Sequence, residues 1–279
     1  MHDGSGRLYI LWQEGEKVIM AKIIVLGAMK GGVGKSVSTY NLAYSLKKLG
    51  KNVLVVDFDS SANITRCVVE NIKTVEISIG DLMMNHMDEE EQPNPAEYII
   101  HRNGVDFIPS SKMLSAVDAK LRLEMGAEKI LACILEPLRA NYDYILIETC
   151  SSLNTLNINA LSAADEVIIV ADTQFWAMTG LEDFFLTVKK IKNRINSKLD
   201  VSGILLTMCE ERTNLCKIIT DEVEEAFNGK IRIFGSKIPR TIKVGESVYY
   251  GEPLLEYAPR TKTCRMYQNL AKELIADEN

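Results

Sequence analysis

The stretch Lys30-Gly31-Gly32-Val33-Gly34-Lys35-Ser36 constrains this chain more than any other, because of what stands on either side of it. The apolar run Ile23-Ile24-Val25-Leu26 precedes it, and Tyr40, Leu42, Ala43, Leu46 and Leu49 follow at helical spacing. A strand, a glycine-rich loop and a helix in that order make a phosphate cradle. Glycines at 31, 32 and 34 let several backbone N–H groups face one anion, and the helix adds the positive end of its dipole. Lys35 supplies a full charge to the β- and γ-phosphates, and the Ser36 hydroxyl is a ligand for Mg²⁺, with Val33 and Val37 completing the cradle. The strict pattern has glycine where this chain has Met29. Strand and helix still flank the loop as the mechanism requires, so the chain is expected to bind a nucleoside triphosphate.

With 279 residues, 47% of them hydrophobic, the chain is long enough for one large domain or two small ones. From Met20 onward, strand and helix patterns alternate. The predicted strands are 23–27, 52–57, 105–109, 144–148, 166–171 and 201–208, with a short one near 231–233. Most are continuous β-branched or aliphatic runs, as parallel strands buried on both faces must be. Helical patterns cover 36–49, 61–70, 78–86, 112–139, 153–163, 178–196, 213–227 and 262–276. This alternation predicts a doubly wound α/β fold on a mostly parallel sheet. No linker divides it, so residues 20–279 are expected to form a single domain. Residues 1–19 carry no such pattern and read as an extension outside the fold. Translation is expected to start at Met20, since the Gln13–Lys17 codons can supply a purine-rich ribosome-binding run.

No apolar run reaches bilayer length and no secretory signal is evident, which predicts a cytoplasmic protein. The six cysteines are scattered without metal-ligand spacing and read as reduced, packed thiols. The net charge of −6 does not advertise nucleic-acid binding. Basic residues nevertheless cluster at Lys189, Lys190, Lys192, Arg194 and Lys198, and again at Lys230, Arg232, Lys237, Arg240 and Lys243. A basic patch and two ordinary solvated faces are both open readings.

Two carboxylates, Asp57 and Asp59, emerge at the carboxyl end of the second strand, where ligands bind in open α/β sheets. There one can support the metal shell and the other can position the attacking water. A third carboxylate, Glu148, ends the strand Tyr144-Ile145-Leu146-Ile147.

A phosphate loop with a second lysine at its start, Lys30, resembles the deviant Walker A of the ParA/MinD superfamily of P-loop NTPases. The resemblance is collinear from about residue 21 to 275. Asp57–Asn63 is similar to the switch segment DxDPQGN, with Ser60-Ser61-Ala62 in place of Pro-Gln-Gly. Tyr142–Leu153 is similar to the Walker B segment YDYILIDCPPSL, with Glu148 for the aspartate and neither proline. Ala164–Leu181 resembles ADEVIIPVQPEYFALEGL, Gly203–Asn214 resembles GVLLTMYDxRTN, and Ile238–Arg260 resembles IPRNVRLxEAPSxGKPVLEYDPRS. These segments point to the ParA/Soj branch.

The resemblance implies ATP as ligand with Mg²⁺, held through Ser36, Asp57 and Glu148. It implies Asp59 as the hydrolytic carboxylate and Lys30 as a cation reaching the nucleotide of a partner in an ATP-dependent homodimer. Met208 and Pro239 are implied near the adenine. Arg212, Arg240 and Lys243 are implied to bind DNA non-specifically. The activity implied is slow ATP hydrolysis stimulated by a ParB-like centromere-binding protein, in plasmid or chromosome partitioning at the nucleoid. A MinD-like membrane recruiter would end in a basic amphipathic helix, whereas Met266, Leu270 and Leu274 here can pack on the domain and the tip is acidic. Glu148 and Ser60-Ser61 motivate a third reading, an ATP-sensing DNA-binding regulator with little hydrolysis.

Overall fold

The apolar runs form a seven-stranded sheet among the described residues, in the order β3-β4-β2-β5-β1-β6-β7. The strands are β1 (Lys22–Gly27), β2 (Val53–Phe58), β3 (Ile100–Arg102), β4 (Val105–Ile108), β5 (Tyr144–Thr149), β6 (Glu166–Asp172) and β7 (Asp200–Thr207). All pairings are parallel except β3 with β4. This computed structural model describes residues 20–152, 154–174, 177–210, 212–227 and 229–276. The expectations for residues 1–19, for Phe175 and for the acidic tip lie outside them.

The helices are α1 (Lys35–Lys48), α2 (Asn63–Val68), α3 (Ile79–Met87), α4 (Pro95–Tyr98), α5 (Met113–Leu121), α6 (Ile130–Leu135), α7 (Thr155–Ala163), α8 (Ala177–Arg194), α9 (Asn214–Phe227), α10 (Ile242–Tyr249), α11 (Leu254–Tyr257) and α12 (Lys262–Ala276). Alternate residues of each central strand enter different cores. Val25, Val56, Ile147 and Ile169 pack with residues of α3 and α5 to α9, whereas Leu26, Val55, Leu146 and Val170 pack with residues of α1, α2 and α12. Side-chain alternation on a sheet covered on both faces gives this division.

Helix α12 lies on α1, burying Leu270 and Leu274 and bringing Tyr267 Oη to 3.2 Å from Ser38 Oγ. Its apolar face is therefore occupied within the domain, unlike that of a membrane-surface helix. No helix of the described residues is long and apolar enough to cross a membrane.

Three expectations need correction. The helical pattern over 112–139 is broken: Gly126 takes a left-handed φ of 66°, and the chain continues as a 3₁₀ turn, α6 and a second 3₁₀ stretch carrying Pro137. The segment near 231–233 makes only a bridge, Ile233 to Ile204, instead of an eighth strand. It comes close because Gly203 lacks a side chain; a Cβ there would sit 2.9 Å from the Arg232 carbonyl oxygen. Finally β7 stops at Thr207, because Met208 adopts φ 51° and turns the chain out of the sheet.

Candidate functional site

The phosphate loop leaves β1 at the middle of the sheet and enters α1 through Gly32 and Gly34, at φ 76° and 86°. These are left-handed conformations that other residues resist. No side chain caps the start of α1, so its first-turn N–H groups are positioned for an anion. Gly31 and Gly32 face solvent, whereas Lys35 is 7% exposed. Burial holds the Lys35 ammonium below its ordinary value, opposed by attraction to Glu148, then Asp59 and Cys150.

Asp57 and Glu148 stand opposite each other on β2 and β5, each 1% exposed. Ser36 Oγ donates to Glu148 Oε1 at 2.9 Å. Glu148 Oε2 is buried with no hydrogen-bond partner among the described residues. Burial first, and repulsion from Asp57 second, push the Glu148 carboxyl well above its usual range against the opposing pull of Lys35. Asp57 is raised to about 6, again mainly by burial, although the hydrogen bonds of Thr65 favour its ionised form. Its Oδ2 accepts from the Thr65 N–H at 2.7 Å and from Thr65 Oγ1 at 2.6 Å.

A divalent cation would relieve both carboxylates. Among the described residues no three His, Cys, Asp or Glu converge as a metal cage. The hydroxyl of Ser36 and the unpartnered Oε2 of Glu148 are hard oxygen donors of the kind Mg²⁺ takes, together with substrate phosphates.

Asp59 lies on the half-buried turn after β2, its Oδ1 accepting from the Ser61 N–H at 2.9 Å. The turn is pinned from below: Ser110 Oγ donates to the Asp59 carbonyl at 2.7 Å, and the Ser110 N–H donates to Thr65 Oγ1 at 2.8 Å. Ala62 takes φ 52° where the family pattern has glycine. That backbone costs an L-residue roughly 1–2 kcal/mol. Thr65 and Ser110 were not foreseen. The signal available was a hydroxyl residue eight positions after a strand-end aspartate, which is weak without the fold.

Lys30 occupies the rim of the loop, where its Nζ donates to Asp172 Oδ2 at 2.7 Å and Gln174 Oε1 at 3.1 Å. Neither partner was singled out from sequence, although Asp172 ends β6 where ligand-site residues collect. The two residues expected near the adenine do meet the loop. Gly34, Val37, Met208 and Pro239 line one cleft of about 190 Å³, together with Thr207, Ile238, Arg240, Thr241, Val244 and Tyr267. Thr207 Oγ1 donates to the Val33 carbonyl at 2.6 Å, tying the loop to the end of β7.

The basic residues are more dispersed. Arg240 is on this cleft's edge and pairs with Glu210 at 3.1 Å, while Lys243 pairs with Glu246 at 2.7 Å. Arg212 is exposed just before α9 and does not line the cleft. Lys237 is paired with Glu224 and Arg232 with Glu273, so the second basic cluster is laced with acids and is not a bare patch.

Comparison with known proteins extends the match beyond the site. A family model described as an AAA domain matches residues 21–201. Sporulation initiation inhibitor protein Soj of Bacillus subtilis (strain 168) is 34% identical over 92% of this chain and 100% of its own length. Chromosome partitioning protein ParA of Myxococcus xanthus (strain DK1622) is 31% identical over 92% of this chain and 88% of its own. Among solved structures, BB_S35 of Borrelia burgdorferi B31, described as a plasmid partition protein and bound to AMPPNP, superposes with a TM-score of 0.75. It is 25% identical and the match covers 92% of this chain and 99% of that one. Identity of this extent, over 92% of the chain and on a shared fold, makes the chain a member of the ParA/Soj family of partition ATPases.

Proposed function

We propose that the chain is an ATP-dependent switch of plasmid or chromosome partitioning, a cytoplasmic protein of the nucleoid. It binds ATP with Mg²⁺, pairs with a second copy of itself and holds DNA without sequence preference. Hydrolysis, slow alone and stimulated by a ParB-like centromere-binding partner, ends that state. One observation carries the reading: at an uncapped helix start bearing Lys35 and Ser36, Ser36 Oγ donates to Oε1 of a buried Glu148 whose Oε2 has no hydrogen-bond partner among the described residues. That arrangement offers a carboxyl oxygen that a cation would hold ionised and an amine that phosphate would hold protonated. The likeness to Soj and ParA supplies the partitioning context, and the AMPPNP-bound relative supports ATP as the nucleotide. The folding unit proposed for this activity is residues 20–279.

In the mechanism, Lys35 and the loop N–H groups hold the β- and γ-phosphates and take up the charge that grows on them during phosphoryl transfer. Ser36 and Glu148, with Asp57 behind them, would hold Mg²⁺, which when bound would supply electrostatic stabilisation of the transferring group. Asp59 orients a water for in-line attack on the γ-phosphorus. The new P–O bond forms to that water as the bond to the ADP oxygen breaks, and phosphate carries away the proton. Met208 and Pro239 flank the base, and Lys30 serves the partner's nucleotide. Arg212, Arg240 and Lys243 contact DNA phosphates.

A second reading, an ATP-sensing DNA-binding regulator with little turnover, is favoured by the left-handed Ala62 in the hydrolytic turn. A misplaced Asp59 would cost rate steeply. The experiment is binding of the full chain to random-sequence DNA with ATP, ADP or no nucleotide, at two salt concentrations, with Asp59→Ala alongside. Binding with ATP alone, weakened by salt and prolonged in Asp59→Ala, is expected. Equal binding in all three nucleotide states overturns the switch. ATP-dependent binding that Asp59→Ala leaves unprolonged, with no phosphate release by the wild type, favours the regulator.

A further inference from the structure

Lys30 is the residue expected to leave its own subunit, yet it is held within it. Its ammonium lies 2.7 Å from Asp172 Oδ2, and the acid is 3% exposed while the lysine side chain is one-third exposed. Asp172 Oδ1 has no hydrogen-bond partner among the described residues, so Lys30 is the one cation seen to neutralise this buried carboxylate. A buried charge stripped of its counter-ion is strongly disfavoured, whereas a charge at the surface is quickly solvated and screened.

The pattern that the chain otherwise follows places glutamine at position 172 and glutamate at position 174. Here the acid is Asp172, buried at the end of β6, and the neutral Gln174 is exposed. The charge facing Lys30 has thus moved from the solvated rim to the sheet. An acid at the rim would give Lys30 up to water at little cost. An acid at the strand end gives it up only when another strong anion takes the ammonium.

We propose that Asp172 is an intramolecular latch for Lys30, which keeps the chain monomeric until a partner's triphosphate draws the lysine away. This deepens the switch described above and rests on its nucleotide-dependent dimer. Asp172 here is a positioning residue: it sets where Lys30 is, not the chemistry. The flexible four-carbon stem of lysine and the exposed Gly31 and Gly32 beside it allow the ammonium to swing without movement of β1.

The test is sedimentation of the full chain with AMPPNP and Mg²⁺ over a protein concentration series, comparing wild type, Asp172→Asn, Lys30→Ala and the double variant. Asp172→Asn keeps the shape and an acceptor for Lys30 but removes the charge. It is expected to dimerise at least about tenfold more tightly, with AMPPNP affinity of the monomer unchanged. Lys30→Ala alone should dimerise more weakly, and over a concentration range that reaches its midpoint the added Asp172→Asn should give no gain, a coupling that a merely structural Asp172 would not give. Asp172→Gln, which restores the family residue, serves as a second variant should the first fold poorly. The double substitution Asp172→Gln with Gln174→Glu should fall between wild type and Asp172→Asn. A wild type that dimerises while neither neutral variant dimerises more tightly overturns the latch alone. The latch is also overturned if the gain persists without Lys30. A wild type that forms no nucleotide-dependent dimer overturns the dimer reading and the latch with it.

Discussion

Replacing Asp57 with asparagine should make the metal-free protein more stable, and by an amount that depends on pH. The Asp57 carboxyl is fully buried and its pKa rises from 3.8 to about 6, chiefly through desolvation. Because the folded value lies above the unfolded one, folding takes up a proton. The stabilisation is complete below pH 3.8 and is lost as pH rises through 6. Above pH 7 the charged side chain therefore costs about 3 kcal/mol relative to a neutral one. Asparagine still offers an oxygen to the two Thr65 donors and loses only the 3.5 Å contact from the Asp59 N–H. Neutralising Asp57 also lifts one source of repulsion from Glu148, which acts in the same direction. Urea unfolding in EDTA should find the variant more stable by about 3 kcal/mol at pH 7.5, by roughly half of that at pH 5, and by little at pH 4. At pH 7.5 the gap corresponds to roughly 6–9 °C in Tm. A gap that stays constant across this range, or a wild type that is the more stable at pH 7.5, would refute the claim that a buried, strained charge waits at this site.

Two further outcomes follow from the packing and the surface. Gly27→Ala would place its Cβ 2.8 Å from Phe184 Cε1 and closer still to Cζ; overpacking of this kind should lower stability by about 3 kcal/mol. Urea melts would register it as a lower midpoint at unchanged slope, and an unshifted midpoint would mean that the ring has room to move. Arg240→Ala should weaken DNA binding and flatten the slope of log K against log salt by about 0.9, whereas Glu210→Gln, by freeing Arg240 from its 3.1 Å pair, should tighten binding. Fluorescence anisotropy across a salt series checks both, and an unchanged slope in Arg240→Ala would remove that residue from the interface.

The strands were legible because they are long buried runs, and Asp57, Asp59 and Glu148 could be placed at strand ends from sequence alone. The helix across 112–139 was not, since apolar periodicity continues on both sides of Gly126 and hides a left-handed residue. The hairpin of β3 and β4 was missed although Asn103-Gly104 is a strong two-residue turn signal; both residues have positive φ here. β3 is only three residues long, too short to show a period. Helix α10 was missed because Lys243, Gly245 and Glu246 interrupt its apolar positions, while Thr241 caps it through the Lys243 N–H. At the site, the loop was legible because its chemistry is local. Lys30 with Asp172, Thr65 with Ser110 and Thr207 with Val33 were not, because each joins residues brought together only by the crossovers of the sheet.

The place of β1 in the sheet has a consequence for how the protein comes into being. Among the described residues β1 pairs with β5 and β6 alone, whose strands begin at Tyr144 and Glu166. About 140 residues therefore separate the end of β1 from the start of its second neighbour. At ribosomal speeds of about 5–20 residues per second, Ile23–Leu26 waits roughly 7–28 s for both flanks, while β2, β3 and β4 can already associate. During that interval the nascent chain presents a bare aliphatic segment beside an unformed phosphate loop, the kind of surface chaperones seize. The nucleotide site can thus be assembled only late in synthesis, after the chain has been made through Asp172.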